Sequence, residues 1–264
     1  MTAPKVWPVF VVYVLAFVAI VAFTIVAAVA LHVLYPDIAD AELFNGLPGL
    51  LAGGIASSVA LGITVLTVSR PLDLGRLRLR PGRETGRDLV AIVLGTLALG
   101  QVLDSLTMLA GLGQRGSMAV IRRALEGAGG PDLFAAVLVI GIMAGAAEEI
   151  FFRGYMQTRF REAWPAGAAI VTAAAAFGLL HLEWLHALLA LMLGLWFGYV
   201  TERMGSALPS LAAHVINNSM FTLLTATVGT VTAFAPNVGL AVGSGVIFAL
   251  CVAFVTRRRA PVAS

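Results

Sequence analysis

Residues 9–34 read VFVVYVLAFVAIVAFTIVAAVALHVL and hold no Asp, Glu, Lys or Arg. A helix needs about 20 consecutive apolar residues to cross the hydrocarbon core of a bilayer. The run is also longer than the roughly 7–15 apolar residues of a signal-peptide core, so after Lys5 it reads as a first membrane span kept in the mature chain. Seven more apolar segments follow, over Gly46–Ser69, Leu89–Leu112, Leu133–Phe160, Ala166–Leu182, Leu185–Thr201, Leu208–Val228 and Val238–Thr256. The expectation is an all-α, polytopic membrane protein, with eight transmembrane helices in one bundle and residues 1–264 forming a single integral membrane domain.

Composition agrees. Of 264 residues, 59% are hydrophobic and 12% charged, and the mean hydropathy is +0.95. A soluble domain carries about 25% charged residues; this chain cannot coat a water-soluble particle. The net charge of +3 does not point to nucleic acid, because the arginines sit in short gaps between apolar blocks. Fourteen of the 17 basic residues sort to one side, leaving Arg115, Arg122 and Arg123 on the other. That bias places the rich side, with both termini, in the cytoplasm. Alanine-, arginine- and glycine-rich usage suggests a bacterial chain, hence the cell (inner) membrane. Cys251 is the single cysteine, which excludes an internal disulfide and a cysteine metal site.

Local signals mark the spans. Thr85 and Asp88 form a capping pair ahead of the third, and Pro131 and Pro209 suit first helical turns. Small residues crowd residues 141–147 and 173–176, and Gly194 and Gly198 recur four apart in the sixth span. Small faces let membrane helices approach closely, so the fourth and fifth spans are expected to be central. Residues 114–127 read either as a surface helix or as a plain loop.

Ionisable residues inside spans are costly and default to a functional reading. They cluster between about residues 131 and 228. Glu149 and Arg153, four apart with the acid first, can pair on one helix. Glu148 projects about 100° away and has no partner in its own turn, so it is free to exchange a proton. Phe177 and His181 share a face at the same spacing, as do His214 and Asn218, whose donors could serve one developing oxyanion. These groups are expected roughly 10–25 Å deep, in the cytoplasmic half or near the midplane.

The run Glu148-Glu149-Ile150-Phe151-Phe152-Arg153 resembles the E-E-x-x-x-R motif of the CPBP family of CAAX prenyl endopeptidases and bacteriocin-processing (Abi) proteins. Phe177-Gly178-Leu179-Leu180-His181 is similar to its F-x-x-x-H motif, and His214-Val215-Ile216-Asn217-Asn218 to its H-x-x-x-N motif. The arginine-rich gap ending in Arg80-Pro81 is also similar to a loop common in it. The resemblance implies intramembrane hydrolysis of a peptide bond in a membrane-associated or lipidated substrate, reached from the membrane or the cytoplasm. It implies that Glu148 and His181 activate water, that His214 and Asn218 stabilise the oxyanion, and that Glu149, Arg153 and Phe177 support them. No cofactor is expected. Zinc stays open, with Glu148, His181 and His214 as the candidate ligands, although no H-E-x-x-H pair is present.

Blander readings stand beside these. The Glu149–Arg153 pair alone would be structural, and His214 with Asn218 could clamp two helices. His32 and His186 read as structural or interfacial, and Gln101 and Asp104 have no assigned role. A non-catalytic peptide-binding or bacteriocin-immunity protein, or a proton-coupled transporter, would use the same pocket differently. The partners expected in every case are membrane lipid and a peptide or protein, not nucleic acid.

Overall fold

The computed structural model describes residues 5–257, so Arg258 and Arg259 of the basic C-terminal run lie outside the described residues. Among those described there are ten helices and no strand. They are α1 (Trp7–Leu34), α2 (Asp40–Asn45), α3 (Leu47–Val68), α4 (Gly86–Leu109) and α5 (Gly116–Leu125), followed by α6 (Gly130–Arg161), α7 (Ala166–Leu179), α8 (Trp184–Met204), α9 (Leu208–Thr227) and α10 (Phe234–Arg257).

Six of them, α1, α3, α4, α6, α8 and α10, are long and apolar enough to cross a membrane. The remaining two expected spans fall short of that criterion in different ways. α7 has 14 residues. α9 has 20, but His214, Asn217 and Asn218 interrupt its apolar character. The stretch at residues 114–127, ambiguous in the sequence, contains a ten-residue helix, α5.

Two apolar clusters build the bundle. One joins α1, α3, α6 and α7 around Phe151, Phe152, Phe160 and Phe177; the other joins α4, α8, α9 and α10 around Ile92, Trp196, Phe197 and Val255. α1 and α10 lie outermost and present Val14, Leu15, Val18, Val242, Val246 and Leu250 to the surroundings, as helices facing lipid do. α9 packs along α6 between the clusters. The contact is close because α6 offers glycines: a Cβ on Gly141 would stand 3.0 Å from the Ser219 Cα, and one on Gly145 3.3 Å from the Val215 Cα. Most of α6 on either side of residues 145–149 is wound in wider π turns, Val137–Ala144 and Ile150–Gln157. Such insertions are frequent at functional sites.

The arginine-rich gap is ordered against one end of this bundle. The Ala207 N–H donates to the Arg78 carbonyl at 2.8 Å, and the Arg83 N–H to the Met204 carbonyl at 2.9 Å. Glu202 on α8 pairs with Arg78 at 2.6 Å and with Arg161 at 3.0 Å, and accepts from Gln157 Nε2 at 3.0 Å. Gly141→Leu would force α9 off α6, an overpacking cost of about 1–3 kcal/mol. Thermal unfolding of the detergent-solubilised protein should show a lower midpoint for this variant than for Gly167→Leu, whose Cβ position meets nothing within 4 Å.

Candidate functional site

Glu148 and Glu149 are neighbours on α6, and the helix turns them into different surroundings. Glu149 is wholly buried. Its Oε1 accepts from Arg153 Nη1 at 2.8 Å, one turn away, and lies 3.0 Å from His214 Nδ1 on α9. Facing a carboxylate already paired with Arg153, Nδ1 is the donor in that contact. The second nitrogen of His214, Nε2, then points to Glu148 Oε2 at 3.6 Å. Arg153 is also fully buried. Its Nη2 donates to the Gly194 carbonyl of α8 at 3.0 Å, and its guanidinium lies over the Phe177 and Phe197 rings, 4.8 and 5.3 Å from their centroids. Cation–π contacts of this kind gain strength when desolvated. Phe197 also stacks on His214 at 4.9 Å.

Glu148 keeps 16% side-chain exposure because it faces a cavity of about 660 Å³. His181, His214 and Asn218 line the same cavity, as does the edge of Phe177. The four residues assigned to chemistry therefore share one space, and Glu149 and Arg153 lie behind its wall. His181 sits just past the end of α7, with Nδ1 3.0 Å from the Phe177 carbonyl. A carbonyl only accepts, so Nδ1 carries the proton, and in the neutral ring Nε2 is left as a hydrogen-bond acceptor.

Glu148, without a partner in its own turn, faces His214 across the α6–α9 contact. Asn218 lines the same cavity as His214, and its Nδ2 is 3.4 Å from the Ile140 carbonyl, a long contact that can be exchanged for a ligand.

Several neighbours without a chemical role in the sequence reading lie close by. His186 lies against His181, with ring centroids 4.1 Å apart, and contacts Ser117 Oγ of α5 at 3.1 Å. Glu183 caps α8, accepting from the Leu185 and His186 N–H groups. Desolvation pushes its carboxyl upward, but those backbone donors outweigh it and hold the group below the usual carboxylate range. Asp104 pairs with Arg122, which is buried, reaches the Gly113 carbonyl and lies 5.9 Å from the Phe221 ring. The one signal available for α8 was the Gly194/Gly198 spacing. Arg153 and Gln157 donate to the carbonyls at those two positions, and a Cβ at 194 would stand 3.0 Å from Arg153 Nη2.

Glu148, His181 and His214 line one cavity, but among the described residues no three His, Cys, Asp or Glu side chains converge as a group able to hold a metal ion.

The fold and site together define a polytopic helical membrane protein with a carboxylate–imidazole pocket between its central helices. Residues 130–220 match the family model described as type II CAAX prenyl endopeptidase Rce1-like, which is consistent with a CPBP-family intramembrane protease. The matched segment runs from the start of α6 into α9 and contains all seven residues of the three motifs. No curated protein and no solved structure matches the chain.

Removing one partner from a buried ion pair costs about 3–5 kcal/mol. Arg153→Met should therefore lower the detergent-solubilised unfolding midpoint sharply, and Glu149→Gln/Arg153→Met should recover part of the loss. A single variant that melts like the parent chain would mean that the pair holds nothing.

Proposed function

We propose that this protein is an intramembrane endopeptidase of the CAAX-protease type, which hydrolyses a peptide bond in a membrane-associated peptide or protein. The observation that carries the reading is the convergence of Glu148, His181, His214 and Asn218 on one cavity inside a membrane bundle, within the segment matched by the protease family. The bundle sits in a cell membrane with both termini in the cytoplasm, and α7 and α9 complete eight crossings. At about 1.5 Å per residue, the 20 residues of α9 are long enough to span, and its polar side chains face protein and pocket.

In this reading Glu148 is the general base. It takes a proton from a water molecule as the water oxygen attacks the scissile carbonyl, and returns it to the amide nitrogen as the C–N bond breaks. His181, with its proton fixed on Nδ1, offers Nε2 as the second acceptor that orients the water. The carbonyl oxygen becomes an oxyanion and accepts from Asn218 Nδ2 and His214 Nε2. Donation from Nε2 requires the imidazolium form of His214, because Nδ1–H is already committed to Glu149. Two carboxylates and two cations, Arg153 and His214, then balance without net charge. Glu149, Arg153 and Phe177 are positioning residues. The carboxylate route involves no metal, so chelators should leave turnover unchanged.

General acid–base catalysis contributes about 10²–10⁴-fold, and one oxyanion donor about 10²–10³-fold. Glu148→Ala should lose activity by the first factor and Asn218→Ala by the second, with unfolding midpoints close to the parent's. The assay is cleavage of membrane-associated peptides by protein reconstituted in liposomes. Full activity in Glu148→Ala would end the reading. Retained peptide binding with no cleavage in the parent chain would favour a non-catalytic binding protein.

A further inference from the structure

The two ends of the bundle differ in charge and in access to the cavity. One end collects Lys5, the six arginines between Arg70 and Arg87, Arg159, Arg161, Arg203 and Arg257. The structure brings these segments together: Phe10 near the start of α1 packs on Phe160 with centroids 5.2 Å apart, and Arg203 donates to the Thr256 carbonyl at 2.8 Å. The opposite end carries Arg115, Arg122 and Arg123, of which Arg122 is buried against Asp104. The basic end is the cytoplasmic one.

The cavity does not reach that end. None of its lining residues comes from the Arg70–Arg87 gap, from the α6–α7 turn or from the α8–α9 turn. On that side the buried Glu149 and Arg153 and the Phe197 ring pack behind the cavity-lining residues His214 and Phe177. Its rim is Phe44, Asn45 and Gly46 before α3, and Val228, Gly229 and Val231 after α9. Both lie at the arginine-poor end. α5 forms one wall there, through Met118, Ile121 and Arg122.

We infer that the pocket is reached from the extracytoplasmic side, and that its substrate is an apolar peptide segment displayed at the outer leaflet rather than a cytosolic protein tail. The rim supports an apolar occupant: Phe44, Val228 and Val231 are 40%, 73% and 41% exposed. The named substrate class rests on the endopeptidase reading; the direction of access does not.

The test uses sidedness of labelling, which needs no turnover and so separates failure of this inference from failure of that reading. Single-cysteine variants are made in full-length chain carrying Cys251→Ser. Asn45→Cys marks the rim, Ser57→Cys marks the cavity wall, and Arg83→Cys marks the basic end. A membrane-impermeant thiol reagent is applied to intact cells and to inverted vesicles. The expected result is labelling of Asn45→Cys and Ser57→Cys in intact cells, and of Arg83→Cys in inverted vesicles alone. Labelling of Ser57→Cys from inverted vesicles alone, or from neither side, would overturn the inference, as would labelling of Arg83→Cys in intact cells.

Discussion

A carboxylate with no access to water has to be matched by donors, and Glu149 is matched twice. Arg153 comes from its own helix at 2.8 Å and His214 from α9 at 3.0 Å. Leaving either position unfilled exposes a charge to the low-dielectric interior, where the penalty is several kcal/mol. The contact therefore fixes more than one side chain. It locks α9 in register on α6, sets which nitrogen of His214 faces the cavity, and holds Arg153 where it can reach the Gly194 carbonyl of α8. Phe177 and Phe197 close on the guanidinium from α7 and α8. Four helices are thus tied through one buried acid.

That arrangement separates two chemically identical neighbours. Glu149 is enclosed and held through Oε1 by Arg153 and His214; Glu148, one residue earlier, opens to the cavity with His214 Nε2 at 3.6 Å. Environment rather than residue type divides the roles, as when two carboxyl groups in one site are driven to different protonation states. His214 belongs to both halves. One nitrogen is structural and the other faces the pocket, so the interhelical clamp that its spacing favoured and the chemical role that the motif implied fall on one ring.

The membrane class was legible from residues 9–34 alone, and α3, α4, α8 and α10 followed from the same criterion. The start of α4 was marked by Thr85 and Asp88, which form the expected capping box. The site residues were legible by type and spacing, because costly polar groups stand out against an apolar background. Their partners were not. His214 and Glu149 are 65 positions apart, and Arg122 meets Asp104 across a turn and two helices. Spacing along one helix predicts neighbours at three and four residues and says nothing of contacts between helices. His214 and Asn218, grouped on one face by that rule, line one cavity, and each also contacts α6, at Glu149 and at the Ile140 carbonyl. Of the eight expected spans, α7 and α9 are the least span-like, by length and by apolarity, and both carry residues of the pocket.

The shortness of α7 has a consequence of its own. Fourteen residues rise about 21 Å, while α6 beside it runs on to Gly130 for 32 residues in all. The chain reverses at residues 180–183, with Leu182 in the left-handed region at φ 59° and 75% exposed. Irregular backbone of this kind is tolerated where it lines a cavity, and His181 does so here. His181 donates its backbone N–H to the Gly178 carbonyl, Glu183 caps α8, and Ser117 of α5 reaches His186 and Glu183. Ending α7 at Leu179 leaves His181 at the edge of the cavity, facing the same volume as Glu148.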